Sequence, residues 1–212
     1  TKQLNSYKIS SGVLQIPNEL IRDSQFDIVP FLVDLIVERV ARKYSTYAIT
    51  GTGSSQPQGV TIGASTGITA AVSALTADNI LDLIHSVDPA YRTSKNFAVA
   101  CNDATIKTIR KFKDSNGQYI WQMGNIQTGA PSSIWNVPIV TDQGFADIGV
   151  STISMLAGDF SKYVIREVGS GELRQSTERY FELDQLGILY QRSADMIVTN
   201  SAAIKKLTHA AS

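Results

Sequence analysis

Cysteine is nearly missing from this sequence of 212 residues: Cys101 is the one thiol, and His85 and His209 are the only histidines. A single thiol excludes an intrachain disulfide framework and fits a chain matured in a reducing cytoplasm. Neither histidine has a partner at metal-ligand spacing, so no metal site is expected. Net charge is missing too. Lys plus Arg and Asp plus Glu both number 19, so nothing in the total points to nucleic acid, a membrane surface or an acidic partner. Long apolar runs are also lacking. "IVPFLV" and "LIV" are interrupted by Asp34 and Glu38, far short of the ~20 residues a spanning helix needs, and the chain reads as soluble with no membrane partner. It opens at Thr1 without a methionine or a signal-like segment, which reads as a processed chain or a piece of a longer one.

What is present includes a glycine-rich stretch, "TGTGSSQPQGV", at residues 50–60. Three tests reject it as a phosphate loop. A dinucleotide fingerprint needs Gly-x-Gly-x-x-Gly, and Gln56 stands where the third glycine belongs. A Walker loop ends in Gly-Lys-Ser/Thr, and there is no lysine between Lys43 and Lys95. Both motifs follow a strand, whereas the residues before Gly51 read as the end of a helix. The stretch is therefore expected to be a structural turn. Gly51 and Gly53 would accept positive φ past the helix, and Pro57 with Gly59 would make a second turn. No cofactor is expected.

The helix in question is the strongest periodic signal. Val29, Leu32, Ile36 and Val40 recur at spacings of three and four, with Tyr44 and Tyr47 continuing the face and Asp27, Asp34, Glu38 and Arg42 on the other side. A helix over roughly 27–49 would be about 35 Å long. Before it, "YKISSGVLQI" reads as a strand ending at Pro17, with a short helix at 17–22. After it, 60–75 reads as strand and loop. Thr76 is placed to cap a helix through Ile80, Leu83, Ile84 and Val87 that ends near Asp88-Pro89. "NFAVACN" reads as a buried strand, followed by a helix capped by Asn102 or Asp103. "DSNGQY" is read as a turn and "TGAPSSIWN" as a loop, with "VPIVTD" and "VSTISMLAGD" as strands. "KYVIREVGSGELRQS" suggests a hairpin turning at Gly169 to Gly171. "TERYFELDQLGILYQRS" reads as a long strand whose apolar face switches near Asp184 and Gln185. The tail suggests a strand at 196–199 and a short helix. The fold class expected from these residues is α+β.

Candidate chemistry is sparse. Cys101 with His85 permits a Cys/His hydrolase to be imagined, but a lone cysteine in an apolar strand is ordinarily a small buried hydrophobe. Glu178, Glu182 and Asp184 would share a strand face suited to acid/base work, a pattern that an exposed strand also produces by alternation. Lys107, Arg110, Lys111 and Lys113 could touch phosphates, but in a neutral chain a solvated helix face is preferred. No catalytic residue is assigned.

The order of these signals resembles a family. "LQIPNELIRDSQFDIVPFLVDLIVERVARK" is similar to the strand, short helix and spine helix of the major capsid proteins of tailed bacteriophages with the Hong Kong ninety-seven fold. "GTGSSQPQGV" resembles the segment after that spine. "IRKFKDSNGQYIW", "TGAPSSIWNVPIVTD" and "AGDFSKYVIREVGSG" resemble three later motifs in the family's order, covering Leu14 to Ile204.

The resemblance implies a structural, non-enzymatic subunit of an icosahedral virion head, made in the bacterial host cytoplasm and enclosing phage DNA without sequence-specific binding. Its partners would be other copies of itself in hexamers and pentamers, with portal, scaffold or decoration proteins as further candidates. It also implies a peripheral domain at 1–60 and 160–195, containing the spine helix and long strands, and an axial domain at 61–159 and 196–212. Family members have an N-terminal arm and an extended loop before the first matched strand. The chain from Thr1 lacks the arm and most of the loop, and by itself is expected to stay monomeric or to form small oligomers. Leu183 and Asp184 stand where the asparagine of cross-linking relatives aligns, so cross-linking is not expected. The alternatives are an encapsulin-like compartment shell and the Cys101/His85 hydrolase.

Overall fold

The computed structural model describes residues 3–24, 27–113, 116–118 and 133–211. Strand β1 (Tyr7–Pro17) runs into helix α1 (Asn18–Asp23), with Pro17 in the extended conformation at the junction. Helix α2 (Ile28–Thr50) follows. The Asp27 carboxylate accepts a hydrogen bond from the Val29 amide at 3.2 Å, and Pro30 falls in the first turn, where its missing N–H costs nothing. Next come a single helical turn, α3 (Val60–Gly63), strand β2 (Ser65–Ala70) and helix α4 (Ala77–Ser86), whose cap Thr76 accepts from the Asn79 amide. Asp88 caps a further turn, α5 (Pro89–Arg92), with proline at its start. Strand β3 (Phe97–Cys101) leads directly into α6 (Asp103–Arg110), where the Asn102 side chain accepts from the Thr105 amide at 2.8 Å.

Strands β4 (Ser133–Ile134) and β5 (Val137–Thr141) form a tight hairpin. Its two central residues, Trp135 and Asn136, both have positive φ, as a type I′ turn requires. Strand β6 (Ile153–Asp159), a 3₁₀ turn at Phe160–Lys162 and strand β7 (Tyr163–Ser176) follow. A second 3₁₀ turn at Phe181–Leu183 precedes β8 (Gln185–Val198), and the last strand is β9 (Ile204–His209).

The chain divides into two compact units, Thr1–Gln58 with Ile165–Met196 and Gly59–Val164 with Ile197–Ser212. In the first, β1, β8 and β7 form a three-stranded sheet in that order, with β1 antiparallel to β8. Ile36 of α2 meets Ile16 of β1 and Ile188 of β8 in a small core, with Val29, Leu32, Leu14, Leu186 and Tyr190 packed around it. Val40 is buried on the same helical face, and Phe31, opposite, is 54% exposed. A polar cluster fastens the helix at its other flank. The Tyr44 hydroxyl donates to Glu167 of β7 at 2.8 Å, Arg192 of β8 pairs with Glu167, and the guanidinium lies 5.1 Å from the Tyr44 ring centre. The hydrogen bond from Tyr44 and that from Arg192 hold the Glu167 carboxyl below its usual value. Burial, followed by Glu167, pushes the Tyr44 phenol up to about 12.

The second unit contains a six-stranded mixed sheet in the order β2-β9-β6-β3-β5-β4. Strand β3 pairs antiparallel with β6 and parallel with β5, and β9 pairs antiparallel with β6 and parallel with β2. The register aligns Val99 with Ala157 and Cys101 with Met155, so these side chains share one face. On that face lie Ile80, Leu83, Ile84 and Val87 of α4 and its cap, and Ile106 and Ile109 of α6. Complete burial of one such aliphatic side chain contributes roughly 1.5–3 kcal/mol, so each member of this cluster stabilises the unit appreciably.

Several readings of the sequence need correction. Residues 60–63 are a helical turn rather than strand. The "GSG" at 169–171 does not turn the chain, because β7 continues through it. Gly171 is required for a different reason: a Cβ there would lie 1.8 Å from the Tyr190 hydroxyl, so the missing side chain makes room for that ring. The hairpin connection falls instead at 177–184, within the run read as one long strand. There Asp184 takes a left-handed conformation at φ 47°, so the switch of apolar face marks the start of a new strand and not a bulge within one. The tail carries no helix between 200 and 209. Residues 204–209 are an inner strand, since Ile204 and Leu207 gain burial between β2 and β6. Much of "DSNGQY" and the first part of "TGAPSSIWN" lie outside the described residues.

Ile188→Ala should cost about 2–5 kcal/mol of stability by emptying the Ile16–Ile36–Ile188 contact, while Phe31→Ala should stay within about 0.5 kcal/mol; urea unfolding followed by circular dichroism distinguishes them. Cys101→Ala should cost roughly 1 kcal/mol, and the native thiol should resist a disulfide reagent until the protein unfolds. Because the folded-state pKa of Glu167 is depressed, its contribution is present above the unfolded carboxylate value of about 4.3 and disappears as pH falls through the lower folded value. Glu167→Gln should therefore flatten the thermal midpoint against pH in that acidic window relative to wild type.

Candidate assembly surface

Each residue singled out in the sequence can now be placed. After α2, the Gly51 amide donates to the Tyr47 carbonyl, and Gly51 itself has φ −57°, so of the two glycines only Gly53, at φ +76°, uses the left-handed region. The expectation of positive φ at Gly51 is corrected: the helix ends by passing into extended chain, which any residue can do. Thr52 and Gln58 form a bridge, and the Gly53 amide donates to the Pro57 carbonyl at 3.2 Å, closing a small loop. Gly59 is the extended cap of α3, whose Gly63 amide returns to the Gly59 carbonyl. The Gly51 and Gly53 amides are thus taken by nearby carbonyls and the Gln58 amide by the Met196 carbonyl, so these three do not point into a phosphate cradle.

Cys101 is fully buried in the apolar cluster beneath α4 and α6. Burial, with Asp103 adding to it, pushes its thiol up to about 12, away from the thiolate a nucleophile requires. No hydrogen bond joins it to His85. His85 Nδ1 lies 2.8 Å from Arg92 Nη1, and since arginine only donates, this nitrogen accepts. His209 is buried and structural: Nδ1 donates to the Ala71 carbonyl and Nε2 accepts from the Ser154 hydroxyl at 2.8 Å. Among the described residues no three His, Cys, Asp or Glu side chains converge as a metal site would need, and no helix is long and apolar enough to cross a membrane.

Glu178, Glu182 and Asp184 do not share a strand face, because their segment is the connection between β7 and β8. Asp184 accepts from the Asn18 side chain at 2.6 Å and from the Asn18 amide at 2.9 Å, a bracing role. Lys107, Arg110, Lys111 and Lys113 are exposed on and just past the polar side of α6, whose Ile106 and Ile109 point inward.

The first unit has an exposed apolar surface. Among the described residues, strand β7 lies at the edge of its sheet with one flank unpaired by another strand, and it exposes Ile165, Val168 and Leu173 among Arg166, Glu167, Glu172 and Arg174. Phe181 and Leu183 follow in the connecting turn, 82% and 62% exposed. A long edge strand leaves main-chain groups available, and apolar side chains beside them favour contact with another chain. Sequence reading assigned Phe181 and Leu183 to a strand face. The signal that they differ was Asp184, a residue type that tolerates left-handed backbone.

Comparison with known proteins supplies the context. The chain matches the model of the phage capsid family over residues 1–209. No curated protein matches it. Among solved structures, the capsid of a native GTA particle is 22% identical, with 98% of this chain and 74% of that one covered at a TM-score of 0.86. A chain from Gordonia phage Cozz is 16% identical, with 100% and 72% covered at 0.70. The holo-SrpI encapsulin complex from Synechococcus elongatus PCC 7942 supplies a chain 14% identical, with 97% and 73% covered at 0.69. At these identities the structures establish a shared fold, and the family match extends over nearly the whole sequence. The chain belongs to the phage capsid family, as a structural capsid protein.

Proposed function

We propose that this chain is the major capsid subunit of a tailed-phage or phage-derived particle, self-assembling through hexamers and pentamers into a closed icosahedral head around DNA. The observation that carries the reading is the family match over residues 1–209, joined to a fold that aligns with an assembled capsid protein over 98% of the chain. Within it we assign the peripheral role to the unit formed by Thr1–Gln58 and Ile165–Met196, and the axial role to the unit formed by Gly59–Val164 and Ile197–Ser212. A balanced formal charge of zero is compatible with enclosing DNA without sequence-specific binding. Portal, scaffold and decoration proteins are the further partners this role implies, and the protein performs no catalysis. Its place is the virion, after synthesis in the host cytoplasm.

The likeness to the SrpI encapsulin chain favours one second reading, a compartment shell enclosing protein cargo. Contents distinguish the two. Full-length protein isolated from its native particle should sediment as closed shells whose DNA is protected from nuclease. Shells containing a protein cargo and no DNA would favour the compartment, and a chain that never assembles at tens of micromolar would overturn both.

A further inference from the structure

In the sheet of the second unit, Phe97, Val99 and Cys101 of β3 belong to the apolar cluster with α4 and α6, so the alternation of the strand turns Ala98 and Ala100 to the opposite face. On that face the register places Val140 of β5 beside Ala100, and Gly158 of β6 beside Ala98. Small residues at the centre leave a trough. It is a cavity of about 560 Å³, within the size range of ligand sites, with Ala98 and Ala100 as its floor and Pro138, Val140 and Phe160 as apolar walls. Its polar groups gather at one end. Lys95 and Asn96 immediately precede β3, and the Phe160 amide donates to the Asn96 carbonyl at 3.3 Å, which brings Ser161 to the same end. Among the described residues Lys95 forms no ion pair, and Asn96 makes its hydrogen bonds through its main chain, leaving the side-chain amide uncommitted. The Asp159 carboxylate takes hydrogen bonds from Ser161 and Ser94 and faces Lys162, so its charge is engaged elsewhere. From Asn96 the strand advances about 13 Å to Ala100, beside which Val140 is 52% exposed.

An apolar trough with an uncompensated cation at one end has the polarity of an alkyl chain that carries one anionic head. We infer that it binds a single-chain carboxylate of the fatty-acid class, with the chain along Ala98 and Ala100 between Phe160 and Val140 and the head group at Lys95 and Asn96. A peptide suits the trough less well. Strand β3 is paired with β6 along its length and with β5 over Val99–Cys101, so its main-chain groups are taken, and a peptide laid over this floor would lose water from its own without replacement. An alkyl chain has no such groups, and its burial is favourable through apolar area alone. The head keeps one side in solvent, while the Lys95 ammonium and the Asn96 side-chain amide donate to the other. Every residue of the trough lies within the second unit, so one chain suffices and no assembly is needed.

The test titrates the full-length protein with decanoate, below the concentration at which it forms micelles, by isothermal calorimetry. One site per chain is expected, with a dissociation constant of about 0.1–1 mM, and heats that never saturate would overturn the proposal. Decanol has the chain without the charge. It should bind about fivefold more weakly than decanoate, and decanoate should lose a similar factor on Lys95→Glu. Val140→Asp should weaken decanoate about tenfold, while Val150→Asp, at a comparably exposed valine outside the trough, should leave it unchanged. Because these side chains are exposed, all three variants should unfold close to the wild-type temperature. Equal affinity for decanol, undiminished binding by Lys95→Glu or Val140→Asp, or an equal loss in Val150→Asp would overturn the site. Tighter binding of an acetylated Val-Ile-Val-Asp peptide than of decanoate would assign the trough to a peptide and overturn the fatty-acid assignment. None of these results depends on shell formation, so the capsid reading stands or falls separately.

Discussion

The contact of Ile36 with Ile16 and Ile188 is the constraint on which the first unit depends. A helix of 23 residues lying alone in water gains little from its own hydrogen bonds, and a three-stranded sheet is near the lower limit of independent stability. Each supplies the other's missing apolar partner. The stripe from Val29 through Val40 gives the helix one face to bury, and the alternation of β1 and β8 presents Ile16 and Ile188 to it. The Tyr44–Glu167–Arg192 cluster then adds polar contacts from α2 to β7 and β8, which restrict how far the helix can slide or rotate on the apolar contact. With the helix held in this way, β7 remains an edge with apolar side chains in solvent, and the turn beyond it is braced by Asn18.

The second unit is built on the opposite economy. Its sheet has helices α4 and α6 over the face that carries Val99, Cys101, Met155 and Leu207, and side-chain caps begin both helices at defined residues. The groups that invite catalytic interpretation are placed in this layer and its hydrogen bonds. Cys101 is held in the apolar layer that gives the sheet its stability, and His209 spends both ring nitrogens on Ser154 and Ala71. A shell protein requires reproducible surfaces, and a core with satisfied polar groups holds those surfaces in place.

Much of this architecture was legible from local pattern, because its causes are local. The 3.6-residue period marked α2 to within a residue at each end, the caps Thr76 and Asn102 were visible as residue types before apolar runs, and the uninterrupted apolar residues of β3 indicated burial on both faces. Five degenerate segments in a fixed order also pointed to the family that the full-length match establishes. Of the candidate chemistry, the sequence pattern offered Cys101 as a small buried hydrophobe, and that is where the fold places it.

What local pattern did not reveal depends on partners distant in the chain. "GSG" looks like a turn until Tyr190 is placed opposite Gly171, and only pairing of β7 with β8 does that. The tail's small and apolar residues suit a short helix as well as a strand; insertion between β2 and β6 decides for β9, because there its main-chain groups gain hydrogen bonds on both edges. The face switch near Asp184 was present in the sequence, but whether it marked a bulge or a connection turned on the left-handed backbone there and its bracing by Asn18, more than 160 residues earlier. The sequence by itself determined the elements whose stability is nearest-neighbour in origin, namely the helices, their caps and the buried strand. The tertiary structure decided strand order, the true hairpin and the exposed Phe181, since each is set by which distant surfaces compete for burial.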